Sequence, residues 1–323
     1  ERIPSDTDEG EGVADKVLAT GAGVHEDASP RVFHPTVGQA GLYFLWKTNS
    51  EGVEYSMPSD VSRGEWPSSA RVVSAVRATV ARHGMLRAVF LESADLMCMM
   101  LPMSTMETRV LLVRSMEPEG LARVAAWMSF SARPWDLSVT CVRYQVLAGT
   151  PGYMQNMHHI VSDEWSAALL QREIAKTAAQ PAGREFEAKS AHAPTLFSLF
   201  ADWEHSVLQQ RGEQLKRWWA QELAGAEPLK LDMPRAKTPS SPSRYGMHVE
   251  YGLREEHVRA AKKLSAELGV TLFAFAQGVY ARWAYSMTRK DVLVVGPYGR
   301  RQDVRFSSTV GYFLNMLVYR YRS

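Results

Sequence analysis

Cysteine is nearly missing from this chain: Cys98 and Cys141 are the only two in 323 residues. Neither belongs to a CxxC pair, and nothing resembles a disulfide framework or a CxxC metal site. A reducing compartment, the cytoplasm, is expected. Both thiols stand in apolar context, where free cysteine behaves as a small hydrophobe. Long apolar runs are lacking too. None approaches the ~20 residues of a membrane span, so no membrane partner is expected. Charge of one sign is also absent. The 37 Lys and Arg against 35 Asp and Glu leave +2, which is no electrostatic footprint for nucleic acid. Arg300-Arg301 and Lys262-Lys263 read as solvated pairs. GxGxxG and GxxxxGK[ST] do not occur, so nucleotide binding lacks support. The chain starts at Glu1 with no signal-peptide pattern and reads as a piece of a larger polypeptide.

The remaining composition, 46% apolar and 22% charged, is that of a globular protein, and the length suits two lobes. Residues 1–30 are polar and acidic (Asp6-Thr7-Asp8-Glu9-Gly10-Glu11-Gly12) and read as a flexible linker. Residues 31–190 form a first lobe, with folding expected to begin near Phe33. Residues 191–323 form a second, the boundary lying in the looser Pro181–Pro194 stretch. Helical spacing marks 68–84, where Val72, Val73, Val76 and Val80 share a face, and 119–130. It also marks Ser166–Ala178, Leu196–Leu223, Glu255–Leu268 and Leu272–Tyr285. Met85–Phe90, Val110–Val113, Val249–Leu253, Val292–Val295 and Gly311–Tyr319 read as strands. Pro228–Ser243 is proline-rich and extended. Cys141–Leu147 alternates, turns through Ala148-Gly149-Thr150-Pro151-Gly152, and returns as Tyr153–Met157.

That hairpin delivers Met157-His158-His159-Ile160-Val161-Ser162-Asp163-Glu164-Trp165-Ser166 at a strand's end. Histidine moves a proton most readily near neutral pH, its free pKa lying at about 6.5. An aspartate close by can fix the ring or lock the loop. Adjacent histidines after a strand are also a satisfied core pair, a reading that stays open on the residues alone. Metal binding is the poorer alternative, since neighbouring side chains on a strand face opposite ways, and no metal is expected.

His158-His159-x-x-x-Asp163 resembles the HHxxxDG core of condensation domains of nonribosomal peptide synthetases, in the chloramphenicol-acetyltransferase-like superfamily. The resemblance is collinear. Thr36-x-x-Gln39 with Leu42-Tyr43-Phe44-Leu45 is similar to the opening S-x-A-Q-x-R-L-W. Arg82–Phe90 is similar to R-H-E-x-L-R-T-x-F, and Pro134-Trp135-Asp136-Leu137 to P-F-D-L. Phe197–Trp203 and Trp218–Ala226 resemble Y-x-D-Y-A-V-W and Y-W-x-x-x-L-x-G-A. Asp291–Arg300 resembles D-V-V-V-G-T-P-V-A-G-R, and Val310–Leu317 resembles I-G-x-F-V-N-T-L. Two later family motifs have no counterpart in this sequence. A narrower likeness is to the C-terminal condensation domains of fungal highly reducing polyketide synthases.

The resemblance implies an α/β fold of two chloramphenicol-acetyltransferase-like lobes set in a V, the second lobe incomplete. It implies acyl transfer from a carrier-protein thioester to an amine or hydroxyl. Partners would be acyl or peptidyl carrier domains and neighbouring megasynthase domains. No cofactor would bind directly; 4'-phosphopantetheine sits on the carriers. His159 is the implied reacting group. His158 is implied to pack structurally, and Asp163 to pair with Arg300. Glu164, Trp165, Ser166 and Asn315 are implied to line the substrate channel, although an asparagine there also serves as a plain hydrogen-bonding spacer. His83, Arg87 and Arg143 are expected to support the fold. Met97–Met103, with four methionines in seven residues, reads as core or mobile surface.

Glu164 departs from the family pattern, which has glycine there. A carboxylate facing the reaction's oxyanion at about 4 Å would repel it by about 4 kcal/mol at an effective dielectric of about 20. The alternative function is therefore an impaired condensation-like domain with a structural, carrier-binding or product-release role. A free-standing CoA-dependent acyltransferase is a third possibility, disfavoured by the linker-like start.

Overall fold

A computed structural model describes residues 31–61, 66–102, 105, 111–114, 120–147, 152–180, 196–227 and 249–322. The linker, the Pro181–Pro194 stretch, most of the hairpin turn and Pro228–Ser243 lie outside them. The chain packs as two compact units. One holds the residues up to Gly212 together with Gly299–Asn315; the other holds Glu213–Tyr298 and Met316–Ser323. The division expected at residue 190 is thus drawn differently by the packing. The chain's return at 299–315 belongs with the first unit.

In the first unit, β1 (Arg31–Phe33), β4 (Leu96–Met100) and β3 (Ala88–Glu92) form an antiparallel sheet in the order β1-β4-β3. A second sheet runs β2-β7-β6-β5, from Ser56–Val61 (β2), Leu111–Arg114 (β5), Val142–Leu147 (β6) and Tyr153–His158 (β7). β6 and β7 are the antiparallel hairpin the alternation predicts, and β5 joins β6 in parallel. The alternation does not mark a solvated face, because Arg143 and Gln145 are buried as well.

Helix α1 (Val37–Thr48) starts at a capping box in which Thr36 and Gln39 satisfy each other's backbone N–H groups. Helix α2 (Ser69–Arg82) buries Val72, Val76 and Val80. Helices α3 (Gly120–Ser131), α4 (Glu164–Ala179) and α5 (Phe197–Glu222) follow; α4 buries Leu170 and Ile174 and packs on α2. One core joins α1, α2, α4 and the start of α5 to the sheets, and Phe306, Val310, Tyr312 and Phe313 from the returning segment complete it, while Phe130 of α3 packs on Met154 in a small separate cluster.

The strand expected over Met85–Phe90 begins only at Ala88. Gly84–Arg87 is a 3-10 turn that bends Arg87 back onto the carbonyls of Val80 and Ala81, at the end of α2. Arg143 likewise donates to the carbonyls of Arg133 and Pro134. His83 meets Glu173 at 2.9 Å. The fold-support roles of these three residues therefore have visible partners. Met97 and Met99 are half-buried and Met100 buried along β4; Met103 lies outside the described residues.

In the second unit, α6 (Glu255–Glu267) and α7 (Leu272–Thr288) meet at Gly269-Val270-Thr271, where Thr271 caps α7. β8 (Val292–Gly299) and β9 (Leu314–Tyr321) form a two-stranded sheet. Val292 packs with Ala281 and Ala284 of α7. Val249–Leu253 is not a strand. Val249, Tyr251 and Leu253 are exposed, and among the described residues nothing pairs with them. Among the described residues no single helix is long and apolar enough to cross a membrane. Cys98 and Cys141 are buried free thiols, and burial pushes both above the usual thiol range.

Candidate active site around His159

Strand β7 ends at His158, and the next residue opens a 3-10 turn, His159–Val161. The two histidines separate at once. His158 is buried at 1% exposure between Trp135, in edge contact at 6.1 Å, and Tyr55. Its Nδ1 accepts from the Ile160 N–H at 3.1 Å. Burial, and then the neighbouring His159, lower its pKa to about 3, so it stays neutral. His158 is thus a packed, hydrogen-bonded core residue.

His159 is half-buried. Its Nδ1 lies 2.7 Å from the Ser162 carbonyl oxygen. A carbonyl can only accept, so Nδ1 carries a hydrogen, and in the neutral ring this tautomer puts the lone pair on Nε2. Nε2 has no hydrogen-bond partner among the described residues. The backbone of the turn is pinned on two sides. His159 N–H donates to Tyr55 O at 2.8 Å, and Gln39 Nε2 donates to Ile160 O at 2.8 Å. Gln39 is fully buried. It therefore caps α1 and holds the histidine turn with one side chain, a role visible in the sequence only as a motif match.

Asp163 closes the turn and caps α4. Its Oδ1 accepts the Ser166 N–H at 2.8 Å, its Oδ2 the Phe313 N–H at 3.3 Å, and both oxygens the guanidinium of Arg301. The pairing expected with Arg300 is therefore corrected to Arg301. Backbone geometry decides between them. Arg300 N–H donates to Phe313 O at 2.8 Å, and the Arg300 side chain turns to Glu204 and lies over Phe200. Glu204 also accepts the Val37 N–H at 2.7 Å, at the positive end of α1. The solvated reading of Arg300-Arg301 fails with it: side-chain exposures are 15% and 9%, and burial lowers both pKa values, that of Arg300 to about 10.

Ser166 does not line a channel. It is fully buried, donates to Gly311 O, and accepts from Gly311 N–H and Arg301. Those bonds use its hydroxyl completely, and they explain why the strand expected from Gly311 begins only at Leu314. Glu164 and Trp165 are exposed in the first turn of α4; Trp165 donates to Ser307 O at 3.0 Å. Glu164 does not take up a left-handed backbone angle, so the glycine of the family pattern is not required here for conformation. Asn315 is half-buried and its amide has no hydrogen-bond partner among the described residues. Arg301, Glu204 and Tyr312, whose ring meets that of His159 at 5.3 Å, are site residues the sequence reading did not single out.

This arrangement offers an imidazole with one nitrogen fixed and one without a partner among the described residues, on a turn held by buried bonds. Phosphinothricin tripeptide synthetase PhsC of Streptomyces viridochromogenes is 26% identical over 307 residues, covering 88% of this chain and 27% of that synthetase. The chain therefore spans about a quarter of the length of that relative. In fold, the chain is similar to the condensation domain of the monacolin K polyketide synthase MokA, with TM-score 0.71, 14% identity, and coverage of 90% and 68% of the two chains. It is similar also to the teicoplanin X-domain in its complex with OxyB, with TM-score 0.71, 20% identity, and coverage of 93% and 67%. Both bear out the expected α/β class with chloramphenicol-acetyltransferase-like lobes. The family model described as Condensation domain matches residues 34–323, and the chain belongs to that acyltransferase family.

Proposed function

We propose that this chain moves an acyl group from a carrier-protein thioester to an amine or hydroxyl, as a condensation domain of a nonribosomal peptide or polyketide megasynthase. The observation that supports it most is the commitment of His159 Nδ1–H to Ser162 O, which leaves Nε2 as a base. The acceptor's nitrogen or oxygen attacks the thioester carbonyl, and Nε2 takes its proton. The tetrahedral intermediate then expels the carrier's thiolate, which receives that proton from the imidazolium. General-base action of this kind contributes about 10²–10⁴-fold. Tethering both reactants supplies orientation, up to about 7–11 kcal/mol. Asp163, with Arg301, shapes the loop and does not move protons in this scheme. The 4'-phosphopantetheine arms enter on acyl or peptidyl carrier domains, and no resident cofactor takes part.

Glu164 favours a second reading. It stands where the family pattern has glycine, at the exposed start of α4. Its carboxylate and bulk would burden the arm's path and leave an impaired domain with a carrier-binding or product-release role. A domain of similar fold, the teicoplanin X-domain, forms a complex with OxyB.

The test loads a carrier protein with an acyl chain, adds amine, alcohol and water acceptors, and follows the acyl group by mass spectrometry. His159→Ala runs beside it. Transfer that vanishes in the variant supports the first reading. Carrier binding with no transfer in either protein supports the second.

A further inference from the structure

One hydrogen bond at Nδ1 does not fix an imidazole, because the ring can still swing about it. His159 has a second restraint. The rings of His159 and Tyr312 lie 5.3 Å apart with planes at 79°, an edge-to-face contact. Tyr312 is itself confined. It is only 7% exposed, and its ring passes over Gly38 in the first turn of α1. A Cβ on Gly38 would stand 2.8 Å from Tyr312 Cε1, closer than real Cβ atoms come, and 3.1 Å from the Leu314 carbonyl oxygen, a tight contact. The next residue, Gln39, grips Ile160 O. A single helical turn therefore bears on the histidine twice, through the carbonyl of the next residue, Ile160, and through its ring neighbour. All these residues belong to the first unit.

We propose that Tyr312 is a positioning residue that holds the His159 imidazole edge-on, and that residue 38 is glycine so that the tyrosine ring can reach it. The catalytic consequence rests on the acyl-transfer reading; the structural one does not.

The experiment pairs acyl-transfer kinetics with NMR of the His159 ring in [15N]histidine-labelled protein. Tyr312→Ala is expected to lower kcat by about ten- to a hundredfold, the scale of a slightly misplaced catalytic group. KM for the loaded carrier should stay within about twofold, since only transition-state alignment is lost. Tyr312→Phe keeps the ring and recovers most of the rate. Gly38→Ala alters neither ring chemically, yet lowers kcat in the same direction. The His159 ring resonances shift or broaden in Tyr312→Ala and Gly38→Ala and stay in place in Tyr312→Phe. Unmoved resonances and wild-type rates in Tyr312→Ala and Gly38→Ala overturn the proposal. If Tyr312→Ala does not fold, Tyr312→Leu takes its place with the same expected outcomes. The NMR comparison needs no turnover. A wild-type protein that transfers nothing defeats the proposed function and leaves the ring resonances to decide the positioning role.

Discussion

Asp163 and Arg301 meet at 3.2 Å with almost no solvent around them, and the guanidinium lies 3.9 Å from the centre of the Phe313 ring. Arg301 also donates to the carbonyls of Phe306 and Thr309. One cation thereby ties the end of the histidine loop to the returning segment. Arg301→Ala should destabilise the protein by about 3–5 kcal/mol, because it leaves the Asp163 carboxylate buried without its cation. Urea unfolding of Asp163→Ala, Arg301→Ala and the double variant measures the coupling. A cycle with Arg300→Ala in place of Arg301→Ala should give a coupling near zero. The reverse pattern would contradict the assignment.

His158 makes stability depend on pH in a predictable direction. Its pKa is near about 6.5 in the unfolded chain and about 3 in the folded one. Between those values the unfolded chain binds the extra proton. The contribution is therefore full above about pH 6.5 and is lost as pH falls toward 3, by up to about 1.4 kcal/mol per pH unit. Urea midpoints from pH 7.5 to 5 should fall less in His158→Gln than in the wild type. Equal slopes would mean that His158 is not held neutral.

Glu164→Gly should raise the single-turnover rate of acyl transfer, at the cost of a small fall in Tm as α4 loses an acidic residue at its start. Glu164→Gln separates charge from bulk. If the rate rises in both, repulsion is responsible; if only in the glycine variant, size is. A rate unchanged in both removes Glu164 from any account of the site.

Gly311→Ala tests how tightly the returning segment is seated. A Cβ there would stand 2.0 Å from Phe197 Cδ2. Phe197 is packed against Phe200 and Phe313 and has nowhere to move. Overpacking of this kind costs about 1–3 kcal/mol, readable as a lower urea midpoint. A neutral substitution would mean that the segment shifts freely.

The later helices, the β6–β7 hairpin and the place of His159 at a strand's end were legible because local patterns encode them. The Val72–Val80 face and the alternation from Cys141 each lie within a few turns of chain, whereas Thr36 and Gln39 were read only as a motif match and helix α1 behind them was not read at all. The choice between Arg300 and Arg301 was not legible. Both follow the same glycine, and only the backbone bond to Phe313 O decides which side chain faces Asp163. Ser166 looked like a channel residue because its partner, Gly311, is 145 residues away. Glu204 looked like an ordinary residue of a long helix for the same reason. Val249–Leu253 has a strand's alternation but no described neighbour to pair with, and a ladder needs two sides.

Synthesis of this chain has an order that its architecture does not follow. Arg301, Gly311 and Phe313, which secure Asp163 and Ser166, leave the ribosome only after the whole of residues 213–298. The histidine loop must wait, half-built, while the second unit is made, because nothing earlier in the chain takes Arg301's place on Asp163 among the described residues. Completion of the histidine loop thereby depends on contacts of long sequence separation, the kind that cost the most loop-closure entropy to form. A nascent chain halted before residue 299 would carry His159 on a loop without its latch.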